Sequence, residues 1–289
     1  MSFLISFSLP EFLSRAQSSC FVLIMAMRAL HPQTLFHLVP ESSVADVVLK
    51  HPDNEPFVSY ALTKKPQLGL EIGYHVPGRP RPEVIAEVGR NADLILPSTS
   101  ISAIHFSFEV HPESKAILLC DRSRHHSTKV EPVDFRHDGT FRQIVLQPDI
   151  EYKISVGGPK KDHYAFTLHW TGPKKALQLI EKGYHQMEQK ARNPRLVRTT
   201  EEGIDDLPSW YNTRLHTPAH GGVQRVLEGQ HLGRGAWGEV KKAIDIDSGS
   251  FVAVKKIFLP PKDQRTFEKE CLIQREVKVL SRISHVSLK

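Results

Sequence analysis

Cysteine is scarce in this chain, which has three in 289 residues, at positions 20, 120 and 271. Thiols so far apart lack the spacing of a zinc site, and we expect them to be reduced, as in a nuclear or cytoplasmic protein. The sixteen histidines show no H-E-x-x-H or comparable ligand pattern. The sequence therefore predicts neither a disulfide-stapled secreted fold nor a metal site.

Long apolar runs and concentrated charge are also lacking. The runs Phe3–Leu9 and Cys20–Met27 are too short to cross a bilayer, and no Lys or Arg precedes the first of them. We therefore expect no membrane partner and no signal peptide, and we interpret residues 1–40 as a disordered leader. The net charge of +6 is mild and dispersed, which suits anionic ligands in general but predicts no nucleic-acid partner.

The most specific stretch that is present is rich in glycine and runs from Leu232 to Lys256. Gly233, Gly235 and Gly238 form the pattern G-x-G-x-x-G, and the residues V-A-V-K follow at the spacing of one hairpin. Glycine lets a backbone approach phosphates closely because it has no Cβ. A dinucleotide-binding fingerprint needs its glycines to open a helix, whereas the residues after Gly238 are typical of a strand. The pattern therefore favours a glycine-rich hairpin.

This combination resembles the glycine-rich loop and lysine strand of eukaryotic protein kinases. The resemblance implies an ATP site in which Lys255 binds the α- and β-phosphates while Val240 and Ala253 hold the adenine. Lys256 takes that place only if the strand slips by one residue, so it is the second choice. Glu276, within Q-R-E-V-K-V-L, matches the family's carboxylate partner of the lysine. The candidate ATP-binding residues are Leu232, Gly233, Gly235, Gly238, Val240, Ala253, Lys255, Lys256 and Glu276.

Two further kinase motifs do not occur in the sequence. Neither H-R-D-x-x-x-x-N nor D-F-G is present, and these motifs supply the catalytic base and the Mg²⁺ ligands. We therefore assign no catalytic residue and no metal ligand, and we expect no phosphoryl transfer by this sequence alone. ATP is the expected cofactor if the kinase-like part folds, and Mg²⁺ is expected only in a full-length kinase.

Many short strand-like segments separated by Gly, Pro and Asn turns fill residues 60–172 and predict a β-sandwich. Three pieces of sequence fall in order between them. Gly89-Arg90 ends one segment, Ser102-Ala103-Ile104-His105 opens another, and Asp121-Arg122-Ser123 follows a third.

The order G-R, S-x-x-H and D-x-S resembles the fork-head-associated (FHA) family over Leu68–Trp170. The resemblance implies a domain that binds phosphothreonine peptides with the loops at one end of a sandwich. A permanently charged, planar arginine suits the phosphate oxygens, and a buried histidine would hold the loops through hydrogen bonds. The residues carried over are Arg90, Ser102, Arg124 and His125 as peptide contacts, and Gly89 and His105 as structural residues.

The chain departs from the family at the end of the third motif. Where N-G-T is expected it has His125-His126-Ser127-Thr128, and Ala103 replaces the usual arginine of S-R-x-H. A histidine can donate a hydrogen bond but lacks the two-way contact of an amide. Two outcomes stay open: phosphopeptide binding with altered affinity or choice of peptide, and a sandwich that has lost this function.

The expected architecture is a mainly β N-terminal domain (an FHA β-sandwich), an amphipathic helix at 173–193, a linker at 194–224 and an incomplete α+β kinase N-lobe at 225–289. The whole resembles FHA-linked serine/threonine kinases of the checkpoint type. The expected function is a phosphothreonine-peptide-binding module joined to a truncated kinase domain, with phosphothreonine-containing proteins as partners. Two alternatives remain: a fragment or mispredicted gene model of an active kinase, and a non-catalytic pseudokinase scaffold.

Overall fold

The structure, a computed structural model, describes residues 29–61, 63, 65–77, 83–135, 142–157, 163–191, 225–235, 238–258, 271 and 274–275. The chain divides between Leu196 and Val197 into two compact units. The expected linker, 194–224, lies outside the described residues. Among the residues described, no helix is long and apolar enough to cross a membrane.

The first unit is built from two β-sheets. The strands of the larger sheet are β1 (Thr34–Pro40), β2 (Val58–Ala61), β3 (Gln67–Gly73), β8 (Lys129–Glu131), β10 (Tyr152–Val156) and β11 (Tyr164–Trp170). They lie in the order β2-β3-β1-β11-β10-β8, and every neighbouring pair is antiparallel.

The second sheet has five strands. They are β4 (Val84–Gly89), β5 (Leu94–Ile95), β6 (Phe106–Val110), β7 (Ile117–Asp121) and β9 (Gln143–Leu146). Their order is β5-β4-β6-β7-β9, with β4 and β5 parallel and the other pairs antiparallel. The antiparallel turns place the β4–β5, β5–β6 and β7–β8 connections at one end of the sheet, and these connections carry the residues of the G-R, S-x-x-H and D-x-S motifs.

The two sheets face each other across the hydrophobic core. Phe36 in β1 and Phe108 in β6 meet edge to face with their ring centroids 4.9 Å apart, a geometry that aromatic pairs favour. The Tyr152 hydroxyl of β10 donates a hydrogen bond of 3.4 Å to the carbonyl of Val145 in β9. The β-rich fold that the sequence predicts for this part of the chain is therefore confirmed.

The first sheet begins earlier than the sequence indicated. Thr34–Pro40 forms β1, which lies between β3 and β11 in the middle of the larger sheet. The interpretation of residues 1–40 as a disordered leader is therefore wrong for this segment, and so is a domain start at residue 60. Every side chain from Thr34 to Val39 is buried. A strand covered on both faces shows little alternation of polar and apolar residues, which removes the usual sequence signal.

The face of β1 that points away from the core buries polar side chains. His37 is 0% exposed and lies opposite Glu71 of β3 and His169 of β11. Its Nε2 is 2.9 Å from the hydroxyl of Ser59. Burial lowers the pKa of His37 to about 4, because a charged imidazole loses its hydration there. His37 is therefore neutral at physiological pH.

The described part of the first unit also contains three helical segments. They are α1 (Ser43–Leu49), a 3₁₀-helix (Pro52–Phe57) and α2 (Pro173–Ala191). The amphipathic helix predicted at 173–193 corresponds to α2, where Ala176, Ile180 and Tyr184 are buried while Leu177 is 59% exposed. The Lys115 ammonium lies 3.3 Å from the centroid of the Tyr184 ring, so α2 packs against the rest of the first unit.

The second unit contains a three-stranded antiparallel sheet. Its strands are β12 (Val226–Gly235), β13 (Gly238–Asp245) and β14 (Phe251–Ile257), in that order across the sheet. The β13–β14 turn contains Gly249, whose φ of 77° is the left-handed conformation that glycine tolerates best. The expected turn after β13 is therefore present.

Candidate functional site

The β5–β6 loop lies directly against the end of β4. The amide of Arg90 donates to the carbonyl of Ser102 at 3.0 Å, and the amide of His105 donates to the carbonyl of Val88 at 2.8 Å. A Cβ added to Gly89 would overlap the carbonyl oxygen of Ala103 and lie 2.8 Å from the His105 nitrogen. Glycine at position 89 is what allows the two segments to approach so closely.

His105 joins two loops from a buried position, where it is 1% exposed. Its Nδ1 accepts a hydrogen bond of 3.3 Å from the amide of Ser102, and its Nε2 lies 3.2 Å from the hydroxyl of Ser127. An Nδ1 that accepts carries no proton, so the neutral ring holds its hydrogen on Nε2 and can donate to Ser127. Burial lowers the pKa of His105 and favours this neutral form.

Ser102 is the point at which the β7–β8 loop meets the β5–β6 loop. Its hydroxyl oxygen accepts a hydrogen bond of 3.2 Å from the amide of Arg124, while its carbonyl accepts from Arg90. The side chains of Arg90, Arg124 and His125 are exposed. The structure thus brings the first three of the four sequence-predicted peptide contacts to one place, and His125 follows Arg124 in the same loop.

A buried carboxylate, that of Asp121, holds the β7–β8 loop through hydrogen bonds. The side chain of Asp121 is 0% exposed, and its Oδ2 accepts 2.8 Å from Nε of Arg142. Its Oδ1 accepts from the amide of Ser123 and from the hydroxyl of Thr128. Sequence reasoning included Asp121 in a motif but missed Arg142. No local signal marks Arg142, because the contact joins residues 21 positions apart.

The glycine-rich hairpin of the second unit places its predicted contacts on one face. Gly233 pairs with Val240 in the register, and Val240 pairs with Lys255. Ala253 is two residues from Lys255 on β14 and therefore shares its face. The three residues predicted to contact adenine and phosphate are thus side by side on the sheet.

The opposite face of the hairpin carries paired charges. Lys256 Nζ lies 2.6 Å from Oε1 of Glu228, and Lys241 Nζ lies 3.1 Å from Oε2 of the same residue. Hydrogen bonds from these two lysines lower the pKa of Glu228. Lys256 therefore points away from Val240 and Ala253 and is engaged by a carboxylate.

The glycines of the hairpin differ in their surroundings. A Cβ on Gly238 would overlap the carbonyl of Lys256, whereas a Cβ on Gly233 or Gly235 would meet no atom of the described residues within 4 Å. Leu232, beside them, is 55% exposed. Packing of the chain therefore requires glycine at position 238 but leaves open space over the other two.

The predicted partner of the lysine, Glu276, lies outside the described residues, although Cys271, Gln274 and Arg275 just before it are helical. Within the described part of the chain, no group of three or more His, Cys, Asp or Glu side chains could hold a metal ion.

No family model matches the chain. Over 112 residues, which are 39% of this chain, it is 24% identical to mitogen-activated protein kinase kinase kinase 4 of Homo sapiens. The aligned stretch is 7% of that protein's length, so the likeness is local. It points to a kinase-like region in this chain.

Proposed function

We propose that the first unit is a phosphothreonine-peptide-binding module of the FHA type, joined to the opening part of a serine/threonine protein kinase domain. The observation that carries the proposal is the meeting of two loops at Ser102. Its carbonyl accepts from the amide of Arg90, and its hydroxyl accepts from the amide of Arg124. The backbone amides of two exposed arginines therefore both bind the same serine, one at its carbonyl and one at its hydroxyl.

This arrangement suits a phosphate dianion. Arginine remains charged at every physiological pH and offers parallel donors to phosphate oxygens. The Ser102 oxygen accepts from Arg124, so its own hydrogen is directed elsewhere and is available to a ligand. Hydrogen bonds between the two loops hold their backbone in place, and a preorganised site loses less entropy when a peptide binds.

The alignment with the FHA pattern has independent support at His126. The glycine of N-G-T falls on this residue, and His126 has a φ of 51°. Residues with a side chain rarely adopt this left-handed backbone conformation, whereas glycine adopts it without strain. A position where the family's motif has glycine thus has the backbone that glycine favours.

The second unit supports the kinase half of the proposal. Val240, Ala253 and Lys255 share one face of the hairpin, and no described residue lies within 4 Å of where a Cβ on Gly233 or Gly235 would be. We propose ATP as its ligand and phosphothreonine-containing proteins as partners of the first unit. Mg²⁺ belongs to this proposal only as a cofactor of a complete kinase domain. The two alternatives, a fragment of an active kinase and a pseudokinase scaffold, differ in phosphoryl transfer, not in these binding sites.

The test is a titration of the purified chain with a phosphothreonine peptide library and its unphosphorylated twin. A hydrogen bond to a charged group contributes about 1.5–3 kcal/mol, so Arg90→Ala should weaken binding about tenfold or more. Arg90→Lys should also weaken it, because lysine lacks the forked geometry. Ser102→Ala should cost less, since a neutral donor contributes about 0.5–1.5 kcal/mol.

Arg122→Gln is the matched control. Arg122 is two residues from Arg124, but its guanidinium lies 2.6 Å from Oε1 of Glu109 and so is already paired. Its loss should leave peptide affinity unchanged. His125→Asn restores the amide of the N-G-T pattern and should tighten binding. Equal binding of both peptide libraries, or of neither, would show that the first unit has another function.

A further inference from the structure

Arg142 lies beneath the β7–β8 loop and contacts it at three points. Its Nε donates 2.8 Å to the buried carboxylate of Asp121. One of its terminal nitrogens donates to the carbonyls of His126 and Thr128, at 3.2 and 3.1 Å. The guanidinium also lies 5.0 Å from the centroid of the Phe135 ring. One planar side chain thus joins the start, the middle and the end of the loop.

The carboxylate of Asp121 extends this contact to the rest of the loop. Its Oδ1 accepts from the Ser123 amide at 2.9 Å and from the Thr128 hydroxyl at 2.8 Å. The His126 ring is 4.0 Å from its Oδ2. A buried carboxylate is stable only when its oxygens are paired, so the loop must keep the conformation that places these donors around it.

The residues held in this way carry the exposed side chains of the proposed site. Arg124 and His125 lie between Ser123 and His126. Asp121 holds Ser123 and Arg142 holds His126 through hydrogen bonds. The loop conformation also costs free energy, because His126 has a φ of 51°. A residue other than glycine stays in this left-handed region only when its surroundings impose it. The two hydrogen bonds from Arg142 to the carbonyls of His126 and Thr128 are such a restraint.

We propose that Arg142 is a positioning residue for phosphopeptide binding, acting through Asp121 and the loop carbonyls on Arg124 and His125 without touching the ligand. This inference rests on the proposed function. Lysine could still pair with Asp121, but its single ammonium cannot reproduce the fork in which Nε binds the carboxylate while a terminal nitrogen binds the two carbonyls. Arg142→Lys therefore keeps the ion pair with Asp121 and removes the hydrogen bonds to the loop carbonyls.

The experiment compares Arg142→Lys with the wild-type chain in peptide affinity, thermal unfolding and amide hydrogen exchange. We expect phosphothreonine peptides to bind about tenfold more weakly, as for the loss of an ordered contact, with little change in the unfolding temperature. The preference for the phosphorylated peptide should persist, since Arg90 is unaffected. Amides of residues 123–128 should exchange faster, while those of β6 and β7 keep their protection. Arg122→Gln, which removes a neighbouring ion pair, should change neither affinity nor loop exchange.

A second variant covers the case in which Arg142→Lys does not fold. Thr128→Val keeps the side-chain shape and removes the hydroxyl that donates to Asp121, and it should weaken binding about threefold with faster exchange in the loop. Wild-type affinity in whichever of Arg142→Lys and Thr128→Val folds would overturn the role of Arg142, and so would an equal loss of affinity in Arg122→Gln. Either result would leave the proposed function standing. Failure of the wild-type chain to bind any phosphothreonine peptide would overturn the proposed function and this inference with it.

Discussion

Replacement of Gly89 by alanine tests whether the β5–β6 loop lies against β4 as the structure has it. The added Cβ would overlap the carbonyl oxygen of Ala103 and lie 2.8 Å from the nitrogen of His105. Neither atom belongs to a flexible side chain, so the loop itself must move. Its movement strains the hydrogen bonds from Arg90 to Ser102 and from His105 to Val88, which are 3.0 and 2.8 Å long.

The expected cost follows from these contacts. Overpacking of a close-fitting site costs about 1–3 kcal/mol, and each weakened backbone hydrogen bond about 1 kcal/mol. Gly89→Ala should therefore lower the free energy of unfolding of the first unit by about 3–5 kcal/mol. Phosphopeptide affinity should fall as well, because Ser102 and Arg90 are displaced together.

Gly69→Ala is the control within the same unit. A Cβ on Gly69 would have its nearest neighbour, the carbonyl oxygen of Leu38, at 3.0 Å, which a small shift can relieve. We expect a cost of about 1 kcal/mol or less, with binding unchanged. Urea unfolding monitored by tryptophan fluorescence measures both variants. A Gly89→Ala protein as stable as Gly69→Ala would refute the close approach on which the site geometry depends.

Three other predictions concern charge, backbone and ligand. The pKa of about 4 for buried His37 lies below the roughly 6.5 of an unfolded chain, so the native state excludes a proton that the unfolded state binds, and stability should fall as the pH drops from about 6.5 to 4. His37→Gln should remove up to about 3 kcal/mol of this pH dependence in urea titrations at several pH values, and an unchanged pH dependence in this variant would contradict the buried, neutral His37. His126→Gly should raise the unfolding temperature and His126→Val should lower it, because the left-handed backbone costs a side chain about 1–2 kcal/mol; the reverse order would contradict the φ of 51°. Lys255→Met should weaken binding of a fluorescent ATP analogue and Lys256→Met should not. An equal loss in both variants would contradict the prediction that only the face carrying Lys255 binds the nucleotide.

Most strands of the first unit could be predicted from the sequence, and the exceptions have physical causes. Residues 152–156 and 164–170 form β10 and β11 and lie within the strand-like segments predicted for residues 60–172, because Gly and Pro turns delimit runs of β-branched and aromatic residues. β1 was missed because burial on both faces removes its alternation. β8 is three residues long and has only Val130 buried, which is too short to show a period of two.

The proposed peptide site could be predicted in its exposed residues but not in its support. Arg90, Ser102 and Arg124 stand in motifs that a reader of the sequence can recognise. Their proximity depends on hydrogen bonds between loops, such as that from the Arg124 amide to the Ser102 hydroxyl across 22 residues. Arg142 carries no motif, and its role depends on three contacts that exist only in the folded chain. Support of this kind has no local signature, since any arginine has the same donors.

The glycines show most clearly which part of a motif the structure can explain. Gly89 and Gly238 have a carbonyl oxygen where a side chain would begin, so packing alone accounts for them. Gly233 and Gly235 have no such neighbour among the described residues. Strands in general disfavour glycine, which loses much conformational entropy when it is ordered. A glycine that folding does not require and that strand propensity opposes needs another reason. Close approach of a ligand's phosphates to the backbone is the reason that the kinase resemblance supplies. Gly233→Ala should therefore weaken ATP binding while the second unit stays folded or becomes slightly more stable. Unfolding of that variant would show that folding itself requires glycine at this position.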